Sequence, residues 1–345
     1  MKKISLILLV SIIGSTIMAQ ERPAFLTKSL SAETVKQVEV ETSGGNISVE
    51  SVPASQARVE VFIWPSGKNK NATVSKDDIQ KRLDELYDVK ISVADNKLTA
   101  VAKPKTKNQH WKNGLSISFK VFVTENVATR LTTSGGNIDL RSVSGEQKIT
   151  TSGGNLTIDR VKGKLKGTTS GGNIHVKNSD DEINLVTSGG NIDANNCRGQ
   201  IKLVTSGGSI MLASLDGKVD ATTSGGDVRA NTIKGDMEAS TSGGNIDLSA
   251  LACNLSTATS GGNIKIDIAQ PGKFIKIKNS GGKIDLHLPA NNGYDLDLSA
   301  DKIQTDNLKN FSGKLAADEV TGKLNGGGTQ VMVNASGGKV SLTLK

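Results

Sequence analysis

From residue 137 onward the apolar residues fall into an 18-residue frame. Counting each frame from the residue after a Gly-Gly pair, position 2 holds Ile138, Leu156, Ile174, Ile192, Ile210, Val228, Ile246 and Ile264. Position 4 holds Leu140, Ile158, Val176, Ala194, Leu212, Ala230, Leu248 and Ile266. Position 7 is Val143, Val161, Cys197, Leu215, Ile233 and Leu251, with Ser179 as the exception, and position 11 runs from Leu165 through Ile183, Ile201, Val219 and Met237 to Leu255. Apolar positions two apart are the mark of a strand with one buried face, so positions 2 and 4 predict one short strand and positions 11, 13 and 15 a second. Aliphatic side chains at 2, 4, 7, 11 and 13 are expected to point inward. Units of this length are too short for antiparallel blades, so equivalent strands should lie one above the next, in parallel. The expectation is an all-β chain forming a parallel β-solenoid (β-helix) with 18-residue turns. At about 4.8 Å per turn, eight turns rise roughly 38 Å.

The frame is punctuated by one phrase, Thr-Ser-Gly-Gly-Asn-Ile. Ser134, Ser152, Ser170, Ser188, Ser206, Ser224, Ser242 and Ser260 each open a Ser-Gly-Gly, and further copies begin at Ser43, Ser280 and Ser336. Pairs such as Gly135-Gly136 and Gly153-Gly154 are assigned to corners, where positive φ or close backbone approach favours glycine. Gly145, Gly163, Gly199, Gly217 and Gly235 mark a second corner at position 9. Asn137, Asn155, Asn173, Asn191, Asn245 and Asn263 occupy position 1, interrupted by Ser209 and Asp227, and read as a ladder of stacked amides. Thr at position 15 reads as a second, hydroxyl ladder. Gly-rich loops that cradle phosphate open helices, whereas these open strands, so the phrase reads as architecture.

Upstream of the array the pattern changes. Residues 20–130 predict a small α+β region with one helix. Ser75 is its expected cap, Asp77 and Asp78 suit its positive end, and Ile79, Leu83 and Leu86 recur at helical spacing. Strands are expected around Val38, from Arg58 to Ile63, Val89 to Val93, Leu98 to Ala102 and Leu115 to Val123. The Ser43 copy suggests a first turn of the stack, with a long excursion inserted before Ser134. Residues 1–19 read as a signal peptide: Lys2 and Lys3, an apolar run too short to span a bilayer, then Ala19. The division is thus 1–19, 20–130 and a repeat domain 131–345, with its last turns, from residue 311 on, expected to be wider.

Composition fits a stacked array, since aromatics make up only 3% of the chain and Gly numbers 38. The formal charge of +8 falls to +6 without Lys2 and Lys3, which is compatible with anionic envelope polymers or membrane surfaces and also reads as ordinary solvated lysines on a β surface, since no dense run of like charge occurs. Cys197 and Cys253 stand three turns apart, about 14 Å, too far for a disulfide. His110, His175 and His287 share no motif. The residues at position 3 form no recurrent acid–base cluster, so no metal, cofactor, catalytic residue or nucleic-acid partner is expected. A Thr-x-Ser strip at positions 14 and 16, as in Thr150 and Ser152, reads as a solvated strand. The least repetitive stretch is the loop carrying Lys103, Lys105, Lys107, His110, Trp111 and Lys112. Cations beside an indole suit an anionic glycan, and this loop is the candidate ligand-binding element.

The iterated Ser-Gly-Gly-Asn-Ile phrase, with a Gly-centred turn between two strands, resembles the bacterial putative-adhesin family of exported repeat proteins over residues 36–345. The resemblance implies a β-solenoid protein of the envelope or surface and supplies no catalytic residues. The expected function is an exported, non-enzymatic adhesin or structural binding module, periplasmic or at the cell surface. Its partner would be an anionic envelope polymer, a glycan or a surface protein. Alternatives are an envelope-stress or regulatory binding protein and a polysaccharide-acting β-helix enzyme.

Overall fold

A computed structural model describes residues 23–66, 74–106 and 114–345. Among these the chain is all-β apart from one α-helix and one short 3-10 turn. The 18-residue frame is the register of strand pairing. Leu156 pairs in parallel with Ile138 on one side and Ile174 on the other. Ile174 then pairs with Ile192, and Ile192 with Ile210. The second strand of each unit pairs likewise, Gly145 with Gly163 and Leu165 with Ile183. Position-2 and position-4 side chains are buried throughout, because parallel in-register stacking places each aliphatic on its own kind.

The second strand differs in one respect from the expectation. It spans Ser144–Thr150 and Lys162–Thr168, positions 8 to 14, so Thr151 and Thr169 at position 15 lie beyond it, buried at the corner, whereas Thr259 ends its strand. The inward row also carries polar residues. Gln147 is fully buried at position 11, where it accepts from Thr129 Oγ1 at 2.6 Å and donates to the Val127 carbonyl at 2.8 Å. Thr257, at position 13, donates to the Ala239 carbonyl at 2.9 Å. Each keeps a hydrogen-bond partner, which is what burial of a polar group requires.

A corner not legible in the composition lies at position 6. Ser142, Arg160, Asn178, Asn196, Ser214, Thr232 and Ala250 all have φ between 51° and 60°. Seven successive units therefore turn through a left-handed residue there, without glycine. Glycine serves the corner at position 9, where φ runs from 99° at Gly163 to 129° at Gly217.

Both ends depart from the frame. The Ser43 copy stacks directly against the Ser134 copy, as Gln37–Thr42 pairs in parallel with Ala128–Thr133 and Ile47–Ser51 with Ile138–Arg141. The excursion between them lies on the outer side. Lys97–Pro104 and Leu115–Val123 continue the parallel pairing, and Tyr87–Ala94, Arg58–Pro65 and Leu26–Ser29 finish it antiparallel. The helix Lys76–Leu86 starts where expected, with Ser75 Oγ accepting the Asp78 N–H at 3.1 Å. Its Leu83 is buried, and Ile79 and Leu86 pack against the core.

The tail corrects the expectation of wider turns in chain order. Thr329–Leu344 pairs with Phe274–Asn279 and Ile284–Leu288 on one side and with the earlier segment Tyr294–Thr305 on the other. The last strand thus slots in beneath the excursion that precedes it. Antiparallel Glu319–Leu324 and Phe311–Leu315 complete the outer side. The reason is the same at both ends: a parallel edge is left unpaired unless a strand of opposite direction or a loop covers it.

Candidate functional site

The repeated phrase forms hydrogen bonds that explain its residues one by one. Each position-15 Thr bridges two stacked glycine corners. Thr151 Oγ1 donates to the Gly136 carbonyl at 3.0 Å and accepts the Gly154 N–H at 3.2 Å. Thr205 does the same to Gly190 at 2.8 Å and from Gly208 at 3.2 Å. The threonines therefore do not bond one another as a hydroxyl ladder. Asn279 replaces the threonine and keeps the chemistry, donating to the Gly262 carbonyl and accepting the Gly282 N–H, whereas Ala335 before the last copy has no side-chain group to do so.

The asparagine ladder runs through backbone donors. The Asn155 N–H donates to Asn137 Oδ1 at 2.9 Å, Asn173 to Asn155 at 2.8 Å and Asn191 to Asn173 at 2.8 Å. What the position needs is an acceptor oxygen, so Ser209 and Asp227 serve in their turn. The ladder begins at Ser118 Oγ, passes to Asn46 and Asn137 across the excursion, and ends at Lys283, which has no acceptor to offer. The two glycines of a pair are unequal. A Cβ on Gly154 would lie 1.8 Å from the Gly136 carbonyl oxygen, whereas one on Gly153 would meet nothing closer than 3.9 Å. Neither has positive φ, so the pair is a close approach at its second residue only.

With the phrase accounted for, one ligand-sized feature among the described residues is an aromatic-lined groove at the N-terminal end. It has a volume of about 520 Å³ and is lined by Phe62, Trp64, Phe122, Lys120, Glu50 and Arg141 among others. Three strands make it. In Arg58–Pro65 the residues Val59, Val61 and Ile63 face the core, which turns Arg58, Glu60, Phe62 and Trp64 outward. In Leu115–Val123 the same alternation turns out Ser118, Lys120 and Phe122. Antiparallel register sets Arg58 opposite Phe122, Glu60 opposite Lys120 and Phe62 opposite Ser118. The parallel neighbour Ile47–Ser51 adds Ser48 and Glu50.

Charge and aromatic surface are tied together here. The Arg58 guanidinium lies 3.8 Å from the Phe122 ring centroid and its Nε donates to Glu60 at 2.6 Å. Lys120 Nζ stands 5.0 Å from the Phe62 centroid. Arg141 donates to Asp139 at 3.0 Å. Such contacts hold rings and cations in fixed orientation on an open face. The groove was not singled out from sequence, although a signal exists. Arg58–Pro65 carries apolar residues on both faces, Phe62 and Trp64 breaking the polar side of the alternation.

The candidate loop is described only at its base. Lys103 Nζ pairs with Glu41 at 2.8 Å, and that carboxylate holds its pKa above the ordinary lysine value. Lys105 Nζ donates to the Asp84 carbonyl of the helix at 2.5 Å. Lys107, His110, Trp111 and Lys112 lie outside the described residues. His175 Nδ1 approaches Asp193 at 3.7 Å on the outward row, each about half exposed, the geometry of a surface pair. Cys197 and Cys253 are free and buried, and burial pushes the Cys253 thiol up to about 12. Among the described residues no group of three or more metal-ligating side chains is placed to hold an ion, and no helix is long and apolar enough to cross a membrane.

No family model and no curated protein matches the chain. Among solved structures it is similar to a putative cell adhesion protein from Clostridium sporogenes, at 10% identity and a TM-score of 0.20, with 93% of this chain and 98% of that one covered. It is also similar to a putative adhesin from Bacteroides fragilis, at 13% identity and a TM-score of 0.26, with 92% and 96% covered.

Proposed function

We propose that this chain is an exported, non-enzymatic binding protein of the cell envelope or surface, and that the groove of Phe62, Trp64 and Phe122 is where it takes its ligand. In this reading residues 1–19 direct export, 20–130 carry the binding face, and 131–345 form a β-solenoid that serves as a rigid support. The in-register parallel pairing at 18 residues supports the solenoid. The Ser-Gly-Gly-Asn-Ile phrase, by its resemblance to the bacterial putative-adhesin family, supports a surface role.

The observation that carries the ligand assignment is the groove itself. Only 3% of the chain is aromatic, yet three rings stand outward together on two adjacent strands. Flat rings offer stacking area to a sugar face at low conformational cost. Its cations Lys120 and Arg141 are balanced by Glu50 and Asp139, which favours an uncharged glycan over an anionic one. The test is binding of the full chain to immobilised neutral oligosaccharides, cello-, manno- and chito-hexaose, by wild type and Trp64→Ala. Loss of one stacking ring should weaken binding by about tenfold, equivalent to roughly 1.4 kcal/mol. Equal signals from wild type and from Trp64→Ala combined with Phe122→Ala would sink the assignment.

A further inference from the structure

We propose that a second face of the stack, away from the groove, binds a linear polyanionic polysaccharide along a row of three cations: Arg130, Lys148 and Lys166. These residues stand 18 apart in the chain, and parallel register makes them direct neighbours, Lys148 pairing with Arg130 on one side and Lys166 on the other. All three point outward from the second strand of their units, so the charges stand in single file about 4.8 Å apart.

Like charges directly opposite on neighbouring strands repel. Most other charged neighbours across this stack avoid that arrangement, Lys302 beside Lys339 near the C-terminal end being an exception. Lys164 pairs with Glu182 at 3.8 Å, Lys177 with Asp159 at 3.8 Å and Lys202 with Asp220 at 3.4 Å. Asp220 does neighbour Glu238, but Lys202 neutralises it. Among the described residues no carboxylate lies within ion-pair distance of Arg130, Lys148 or Lys166. The acids nearest in register are Glu39, beside Arg130, which is held by Lys97 at 2.5 Å and has its pKa lowered by Lys97 and to a smaller extent by Arg130, and Glu146, two residues from Lys148 on the same strand. Arg130 and Lys148 also line, with Lys97, Glu39 and Glu146, a shallow concavity of about 300 Å³, from which the row runs on to Lys166.

The shape of the row selects the partner. Three collinear cations at strand spacing match anions repeated along a chain, such as the carboxylates of a polyuronate. A membrane surface is a poorer fit, because the exposed large apolar residues, Leu26, Met211 and Leu315, are not in this row. The inference does not rest on the groove, which has balanced charge and lies on another face.

The experiment measures binding of the full chain to immobilised polygalacturonate as salt is raised. Three neutralised anions predict a fall on the order of 40-fold between about 50 and 200 mM salt, taking the counterion-release slope of a duplex polyanion. Arg130→Gln, Lys148→Gln and Lys166→Gln together should remove most of the binding and flatten the salt dependence. Their thermal melt should stay at or above wild type, since repulsion is relieved, which separates lost binding from lost fold. Trp64→Ala should leave polygalacturonate binding unchanged, so the two sites fail independently. Wild-type binding by the triple variant would overturn the proposal. So would an equal loss in a control with Lys218, Lys234 and Lys265 changed to Gln, or tighter binding to phosphatidylglycerol vesicles or duplex DNA than to the polyuronate.

Discussion

Replacing Thr205 by Val tests whether the position-15 hydroxyl holds the stack together. The two side chains have nearly the same shape, and Thr205 is 2% exposed, so packing is preserved. What is lost is the oxygen that accepts the Gly208 N–H at 3.2 Å and donates to the Gly190 carbonyl at 2.8 Å. Both glycine groups are left at a corner where the next turn covers them. A buried polar group without a partner costs about 1–3 kcal/mol, so two predict a loss of roughly 2–6 kcal/mol. Thr205→Ser keeps the hydroxyl and removes one methyl, for about 1 kcal/mol. Equilibrium urea unfolding followed by circular dichroism distinguishes them, the midpoint falling far more for Val than for Ser. If Val is as stable as wild type, or Ser loses as much as Val, the bridging role is wrong and position 15 is merely a β-branched filler.

Other substitutions probe separate parts of the argument. Gly190→Ala places a Cβ 2.0 Å from the Gly172 carbonyl oxygen and should disrupt the stack, whereas Gly189→Ala meets its nearest neighbour at 3.6 Å and should express and melt close to wild type. Thr232 is a β-branched residue at φ 60°, so Thr232→Gly should leave stability unchanged or raise it by up to about 1 kcal/mol, in contrast to glycine at an ordinary strand position. The Cys253 thiol titrates near 12 in the folded chain against an ordinary value of 9.0, so the unfolded chain loses its proton first. Stability should therefore decline as pH rises from 9 toward 12, and Cys253→Val should flatten that decline in urea midpoints measured across the range. At pH below 9 native Cys253 should resist iodoacetamide until denaturant is added.

Much of the fold is legible in the chain because a stack of parallel turns repeats its chemistry at a fixed interval. Ile138 to Ile264 at position 2 announce the register directly. The helix is legible for a local reason: Ser75, Asp77 and the spacing of Ile79, Leu83 and Leu86 depend on near neighbours only. The Asn137 ladder is legible in its residues but not in its donors, since the sequence is silent on which N–H reaches Oδ1. The position-6 corner stayed hidden because Ser142, Arg160 and Ala250 share a backbone angle and no side-chain chemistry. The tail misled for a topological reason. Thr329–Leu344 pairs with strands before the excursion and with Tyr294–Thr305 of the excursion itself, and chain order carries no trace of that insertion.

The two candidate sites arise from the frame in opposite ways, and this explains why neither stood out in the sequence. A regular turn spends positions 2, 4, 7, 11 and 13 on the core and positions 1, 15 and 18 on bonds between turns, which leaves a flat outer face. A concavity needs a break in that face, and the groove lies where antiparallel Arg58–Pro65 is added beyond the last parallel neighbour. Its rings Phe62 and Trp64 stand on a strand outside the 18-residue frame. The cation row is the reverse case. Arg130, Lys148 and Lys166 look like scattered surface residues until the 18-residue step aligns them, and only the alignment creates a repulsion that a bound anion would relieve. A stack of this kind can hold a ligand where its period is interrupted or where it is repeated, and the charge and aromatic content of each place decide which ligand that is.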